Sequence, residues 1–316
     1  MSVDARSQDP GFSEVAAGAS RHQITVPFEL SGERLDRALA RLVPEMSRTL
    51  ARKVIGMGGV HIGKKRCRVA SRTVSAGDRV TVTWHPNVLR PPSFELEILH
   101  ADQHIAVVNK PSGQLVAGTE LGDVGSLQRS IEQHFGDKTR LMHRLDMGAS
   151  GIMVAARTKR ATASLTPQFR AHTIGRRYLA VTESEVQEGA CTLKLRRLKR
   201  RIVLAQNREG MEARTDFRNL VSLRERAVVE ATLFTGRTHQ IRVHLQGLGS
   251  PIVGDSVYGG VTAPRLCLHA ALLEFEHPGS GKTMRFVNPP SPSFFTSGGV
   301  KPEVLHEENV PWLYTK

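Results

Sequence analysis

Apolar and polar residues along this chain follow two rhythms, a period near 3.6 and a period of two, and the switches between them mark out its elements. Residues 24–30 alternate like a strand. Leu35, Leu39 and Leu42 then recur at helical spacing, with Arg34, Arg37 and Arg41 on the opposite side. A second helix is predicted after Pro44, with Ser47 as its cap, Leu50, Val54 and Ile55 as its apolar side, and Gly56, Gly58 and Gly59 ending it. Residues 60–62 read as a strand, Lys64, Lys65 and Arg66 as a cationic tip after a turn, and residues 76–82 as a turn and a closing strand.

The proline-bearing stretch at 85–93 breaks the pattern and reads as a linker. Beyond it strands are predicted over 94–99, 105–108, 152–156 and 176–181, helices over 126–135 and 159–169, and a β-rich segment over 190–235. Strands dominate and few βαβ units can be counted, so the class is α+β with a mixed, mainly antiparallel sheet. The resulting division is a disordered tail over 1–22, a small module over 23–84, the linker, a large domain over 94–288, and a Pro- and Ser-rich tail over 289–316 expected to be irregular.

Charge narrows the class of partner. The chain of 316 residues carries 44 Lys and Arg against 30 Asp and Glu, a formal charge of +14, which favours a polyanion. The excess is concentrated. Residues 21–90 hold fourteen Lys and Arg against five Asp and Glu, so Arg34, Arg37, Arg48, Arg52, Lys53, Lys64, Lys65 and Arg66 form a candidate phosphate-binding set. Six cations in the eight positions 194–201 are too dense for a core and read as a second phosphate-facing hairpin. Three scattered cysteines, Cys67, Cys191 and Cys267, support neither a disulfide framework nor a CxxC metal site. No apolar run reaches the roughly 20 residues that span a bilayer, and the first twenty residues lack a hydrophobic signal core. A cytoplasmic, monomeric protein away from membranes is expected.

The candidate chemistry lies in residues 141–153, LMHRLDMGASGIM. Asp146 stands between Arg144 and the small-residue turn 148–151, with apolar residues on either side. A half-buried carboxylate needs a cation or several donors to remain ionised. Taken alone, however, an aspartate in such a loop reads as the cap of a turn or helix.

Longer motifs change that reading. The ERLD opening, the Ser-Arg at the second helix, the GGV-x-I turn and AGDRVTV over residues 28–84 resemble the alpha-L RNA-binding domain of a small-subunit ribosomal protein. HRLD at 143–146, Arg-x-Tyr at 176–178, EARTDFR at 212–218, TGRTHQIRVHL at 235–245 and Asn109-Lys110-Pro111 resemble the RluA-type pseudouridine synthases. That resemblance covers residues 94–288 and implies the pseudouridine synthase fold and isomerisation of uridine in RNA, in particular large-subunit ribosomal RNA, without a metal or other cofactor. It implies Asp146 as the essential carboxylate, acting on either the ribose or the ring. Arg242 would be its cationic partner, with Arg237 the competing candidate. Tyr178 would stack on the target base, Leu268, or else Leu266, would pack on its other face, and Arg144 would fill the space that the flipped base vacates. The sequence departs from the family directly after Asp146: Met147, Gly148 and Ala149 precede Ser150-Gly151 where a charged pair and Thr-Ser-Gly are usual, which suggests a looser loop.

Two other classes compete. A ribosome-assembly protein that kept the fold but lost catalysis would bind RNA with a steep salt dependence and modify nothing. A metal hydrolase would draw on His143, His239, His244 and His269, but their spacing does not make a compact helical site, and Arg237 and Arg242 would crowd the ion with positive charge.

Overall fold

A computed structural model describes residues 18–85, 93–199, 201–205 and 209–314, and the chain divides into two compact units. The tail expected over 1–22 lies outside the described residues as far as 17, and its last residues open the first strand, β1 (Ser20–Thr25). Of the linker expected over 85–93, residues 86–92 lie outside the described residues.

The first unit comprises the described residues to Phe94 together with Ala117–Ser130, a segment drawn from the domain expected over 94–288. After β1 come α1 (Leu35–Leu42), α2 (Arg48–Met57), β2 (Val60–Ile62), β3 (Lys65–Cys67) and β4 (Arg79–Trp84). The strands form an antiparallel sheet in the order β1-β4-β2-β3. Leu35, Leu39, Val54, Ile55, Val80 and Val82 are buried in one cluster, so the two helices cover the sheet through the apolar faces that the sequence pattern marked. Ser47 Oγ accepts from Leu50 N at 3.1 Å, and Gly58 ends α2 in the left-handed region at φ 84°.

Several of the expected RNA-facing cations have internal partners. Asp36, wholly buried in the first turn of α1, accepts from Arg34 Nε and Arg48 Nε, each at 3.0 Å, and Arg52 stands 3.9 Å away. Hydrogen bonding from Arg34, joined by Arg48, outweighs the opposing effect of burial and lowers the Asp36 carboxyl to about 2. Arg37 and Arg41 reach Glu33. Lys53, Lys64 and Lys65 are exposed. Arg66, expected at a solvent-facing tip, instead turns inward: it is half-buried and donates to the Gly58 and Thr119 carbonyls. Carbonyls left over at the end of α2 and in the Ala117–Ser130 segment need donors, and Arg66 supplies them.

The second unit is built on one long sheet. Its elements are β5 (Glu97–Ala101), β6 (Ile105–Lys110), α3 (Leu127–Phe135), β7 (Arg140–Leu141), β8 (Ser150–Ala156), α4 (Lys159–Arg170), β9 (Gly175–Thr182), β10 (Gly189–Cys191), β11 (Leu195–Leu198), β12 (Arg201–Leu204), β13 (Thr215–Leu223), β14 (Arg226–Leu233), α5 (Gln240–Gly247), β15 (Leu268–Glu276) and β16 (Thr283–Val287). Although α3 begins within the first unit, it ends in the second. Among the described residues ten strands join in the order β10-β13-β14-β9-β15-β8-β6-β5, with β16 on β15 and β7 on β8. β8 and β15 pair in parallel and the other pairs are antiparallel, in keeping with the expected α+β class.

Two features of this sheet position the site. β9, β15 and β8 lie side by side near its centre, with Tyr178 opposite Ala270 and His269 opposite Ser150. Gly151, at φ 120°, lies so close to the Ala270 backbone that a Cβ would collide with it, so this glycine lets the strand that follows the Asp146 loop close onto β15.

The region expected to be irregular is ordered as far as Tyr314. It carries α6 (Pro292–Gly298) and α7 (Pro311–Tyr314). Phe294 and Phe295 are buried with ring centroids 5.2 Å apart, and Trp312 Nε1 donates to Glu230 Oε2 at 2.6 Å. Burying large aromatic side chains outweighs a Pro- and Ser-rich composition.

Candidate active site

The loop between β7 and β8 carries Asp146, β9 carries Tyr178, α5 carries Arg242 and β15 begins with Leu268. The four side chains, together with exposed Arg144, line one cavity of about 290 Å³.

Asp146 is largely enclosed, with 14% of its side chain exposed. Its Oδ2 accepts from Arg242 Nη1 at 2.8 Å, and His239 Nε2 stands 3.7 Å from Oδ1. Burial pushes the carboxyl upward, but the charges of His239 and Arg242, the Arg242 hydrogen bond and the charge of Arg144 together outweigh it and hold the group below its ordinary value. The carboxylate is therefore ionised at neutral pH. The competing cation is occupied elsewhere: Arg237 donates through Nε to the Glu212 carbonyl at 3.1 Å.

Arg242 is itself fixed by a residue that the sequence reading did not single out. Its Nε and Nη2 donate to the two oxygens of buried Asp255 at 2.7 and 2.8 Å. The backbone N–H groups of Val257 and Tyr258 donate to Asp255 Oδ1, each at 3.1 Å. Burial disfavours the charged guanidinium, but the two carboxylates more than offset this and raise its pKa. Tyr258 underlies the guanidinium at 5.0 Å and shares a 2.8 Å hydrogen bond with His239 Nδ1. His239 takes a left-handed backbone, φ 54°, immediately before α5, a conformation that costs energy in a non-glycine residue.

Helix α5 is buried along most of its length, including polar Gln240, Arg242 and His244. Gln240 is satisfied on both ends. Its Oε1 accepts from Thr235 Oγ1 and Arg237 N, and its Nε2 donates to Arg214 O and Thr215 Oγ1. The THQIR run is thus a buried polar lattice, and such lattices are geometrically exacting because an unpaired member is costly.

The loop after Asp146 is not slack, although its sequence departs from the family. Lys110, wholly buried, donates through Nζ to the carbonyls of Pro111, Gln114 and Met147 at 2.9, 2.8 and 3.0 Å. Gly113 N also donates to Met147 O, Ser112 Oγ donates to Gly148 O at 2.6 Å, and Ala149 N donates to Asp146 O. A Cβ on Gly148 would stand 3.0 Å from Leu266 Cβ, so small size at this position serves close packing. Leu266 lies beneath the loop, whereas Leu268 faces the cavity.

Tyr178 is buried beside the carboxylate. Burial raises its pKa, with Arg176 opposing and Asp146 reinforcing the shift, so the ring carries a neutral hydroxyl at pH 7. His143 stacks on Phe169 with centroids 5.1 Å apart and accepts from Val154 N at 3.0 Å. Burial, helped by the Arg176 charge, lowers its pKa to about 3, so it is neutral. His269 is also neutral: burial lowers its pKa to about 4. Its ring spans Ser150 Oγ at 2.8 Å and Asn288 O at 2.9 Å. His244 contacts Thr215 Oγ1 and Leu193 O. The four histidines considered as metal ligands thus have separate engagements. Among the described residues no group of three or more His, Cys, Asp or Glu side chains converges as a metal site.

The cation-rich segment forms the hairpin β11–β12. Leu195 and Ile202 point inward against Val243 and Tyr258, leaving Arg197, Lys199 and Arg201 exposed. The hairpin therefore rests on the helix that carries Arg242 and presents its charge outward. Among the described residues no helix is long and apolar enough to cross a membrane.

An ion-paired carboxylate on a loop, sharing its cavity with a buried tyrosine of a long mixed sheet, points to a class. A family model described as RNA pseudouridylate synthase matches residues 104–247, and one described as S4 domain matches residues 33–80. The chain belongs to the RNA pseudouridylate synthase family, in its RluA branch, with an S4 domain ahead of the synthase region. It is 32% identical to ribosomal large subunit pseudouridine synthase D of Zymomonas mobilis subsp. mobilis, over 84% of this chain and 92% of that protein. To the protein of the same description in Xylella fastidiosa it is 36% identical, over 88% and 91% respectively. Among solved structures, human RNA pseudouridylate synthase domain containing 4 superposes with a TM-score of 0.53 and 26% identity, over 64% of this chain and 91% of that one.

Proposed function

We propose that this protein isomerises specific uridines of large-subunit ribosomal RNA to pseudouridine, with Asp146 as the catalytic carboxylate. The observation that carries the reading is the Arg242–Asp146 pair at 2.8 Å within a cavity also lined by Tyr178 and Leu268. The carboxylate is held ionised and oriented, as attack on a ribose or ring carbon requires. On this reading the target base stacks on Tyr178 against Leu268, both of which line the cavity, and exposed Arg144 enters the gap that the flipped base leaves, an extrusion that costs about a few kcal/mol.

The overall reaction conserves atoms and electrons. The bond from ribose to the base nitrogen breaks, a bond from ribose to a ring carbon forms, the proton on that carbon is lost, and the freed nitrogen gains one. The chain's task is positional and electrostatic, and no oxidant or reductant is consumed.

Ribosomal RNA as substrate is supported by the relatives, described as ribosomal large subunit pseudouridine synthases, at 31–36% identity, and by the S4 match with its exposed Lys53, Lys64 and Lys65. The protein acts as a monomer in the cytoplasm on this reading, binding RNA through the first unit and through Arg197, Lys199 and Arg201. The non-catalytic alternative depended on a loosened loop, and the bonds from Lys110, Ser112 and Gly113 to that loop count against it. Mapping pseudouridines in ribosomal and transfer RNA from cells with and without the gene tests the proposal. Loss of discrete sites in the large-subunit RNA is expected, and an unchanged map overturns it.

A further inference from the structure

Arg176 stands two residues before Tyr178 on β9, so the two side chains rise from the same face of the strand. It lines the cavity and is 7% exposed. Its Nε and Nη2 are buried without a hydrogen-bond partner. A Cβ on Gly236, across the cavity, would stand 2.9 Å from its Nη1, so the absence of a side chain at Gly236 leaves room for the guanidinium.

A buried guanidinium without a carboxylate is an expensive arrangement. Asp146 is the one acid among the lining residues, and its Oδ2 is engaged by Arg242. Its histidine neighbours supply no negative charge: burial first, and then repulsion from Arg176, lowers both His143 and His172. Among the described residues no carboxylate pairs with Arg176, and the acceptors that its N–H groups lack can arrive with the substrate.

We propose that Arg176 binds a carbonyl oxygen of the flipped uracil and stabilises the negative charge that gathers there during isomerisation. This rests on the function proposed above. Its depth in the cavity, beside the tyrosine that would stack on the base, favours the base edge over a backbone phosphate; exposed Arg144 is better placed for the latter. The role holds for either point of attack by Asp146. If the carboxylate attacks the ribose, the bond to the ring nitrogen breaks and its electron pair spreads over the ring onto the carbonyl oxygens. If it adds to a ring carbon, the displaced π pair moves onto the same oxygens. In both cases that pair forms the new bond from the ring carbon to the ribose, displacing the carboxylate in the first route and the ring nitrogen in the second; the ring carbon then loses its proton, the nitrogen gains one, and in the second route the carboxylate leaves the ring as the double bond is restored. An N–H donor already in place at the oxygen lowers the barrier without reorganisation.

The test compares wild type, Arg176→Met and Arg176→Lys on a large-subunit ribosomal RNA transcript. Measured are the single-turnover rate of pseudouridine formation, RNA affinity as a function of salt, and thermal unfolding. Arg176→Met should slow the chemical step about 100-fold, the usual size for losing one oxyanion donor, and Arg176→Lys should recover part of that loss. Affinity and the slope of log K against log salt should not change, and the midpoint of unfolding should stay equal or rise, because an uncompensated buried charge is gone. An undiminished rate overturns the role. A salt slope shallower by about one assigns Arg176 to a phosphate and overturns it as well, and a lowered midpoint with no recovery by lysine makes the residue structural. If the wild-type protein forms no pseudouridine, the proposed function fails first and takes this role with it; an active wild type with an equally active Arg176→Met variant sinks only this inference.

Discussion

Arg242 divides its guanidinium between two carboxylates, giving Nη1 to Asp146 at 2.8 Å and Nε and Nη2 to Asp255 at 2.7 and 2.8 Å. The two-point contact with Asp255 fixes the plane of the guanidinium and hence the direction from which Asp146 is held. Asp255→Asn should weaken that bidentate contact and leave Arg242 with one anionic partner. Breaking a buried pair costs about 3–5 kcal/mol, so the unfolding midpoint should fall by several degrees. Single-turnover catalysis should drop about 10- to 100-fold as the pair loses its geometry, with RNA affinity retained. Equal rates in the two proteins would show that Asp146 needs no such brace.

The ionisation of Asp146 depends on its cations. Its carboxyl is held below its ordinary value in the folded protein because the neighbouring charges outweigh burial. The charged form, and the stability it contributes, are thus present above the unfolded pKa and are lost only as pH falls through the depressed folded one. In wild type the rate of isomerisation should be free of an Asp146 limb between about pH 5 and 8. Arg242→Met removes the hydrogen bond and one of the charges but leaves the burial. The residual rate should then fall with an acid limb displaced to higher pH, read from a single-turnover pH profile. An unshifted limb would mean that another group controls the carboxylate.

Lys110 ties the catalytic loop, through the Met147 carbonyl, to the turn whose Pro111 and Gln114 carbonyls it also holds. Replacement by methionine keeps the volume but leaves those buried acceptors short of donors, at about 1–3 kcal/mol for each unsatisfied group. Lys110→Met should lower the thermal midpoint and reduce the catalytic rate more than it weakens RNA binding. A variant with the same midpoint and rate would show that the loop holds itself.

In the first unit, buried Asp36 gathers Arg34, Arg48 and Arg52. Its carboxyl lies at about 2 in the folded state, chiefly through Arg34, so its contribution to stability is present at neutral pH and disappears as pH falls below about 4 toward 2. Asp36→Asn should destabilise the unit at pH 7 and lessen its pH dependence in that acid window. It should also scatter the arginines and weaken RNA binding. Urea unfolding at pH 7 and at acid pH checks the first outcome, and filter binding across a salt series checks the second.

What the sequence revealed depended on whether a residue's role was local. The helices with Leu35, Leu39 and Leu42, and with Val54 and Ile55, were legible because their partners lie three or four residues away, and the strand that follows Asp146 was legible as an apolar run. Asp255, Lys110 and Arg176 carry no periodic signal. Asp255 meets Arg242 across thirteen positions and Lys110 meets Met147 across thirty-seven, and pairing of buried polar groups over such distances is a property of the fold. The Asn-Lys-Pro and Arg-x-Tyr motifs contained Lys110 and Arg176 without showing their tasks. The slack expected after Asp146 was a local inference from Gly148, and bonds from Lys110, Ser112 and Gly113 override it. The order around Phe294, Phe295 and Trp312 escaped notice because prolines and serines dominate that stretch while its few aromatics are what pack.

The most direct test of the central claim replaces Asp146 with asparagine, which is nearly isosteric and removes the negative charge. Asp146→Asn protein should bind large-subunit ribosomal RNA with nearly the wild-type affinity and salt dependence, and form no pseudouridine in a single-turnover assay that resolves the wild-type product. Pseudouridine formed by this variant at a rate close to wild type would contradict the assignment of Asp146 as the catalytic carboxylate.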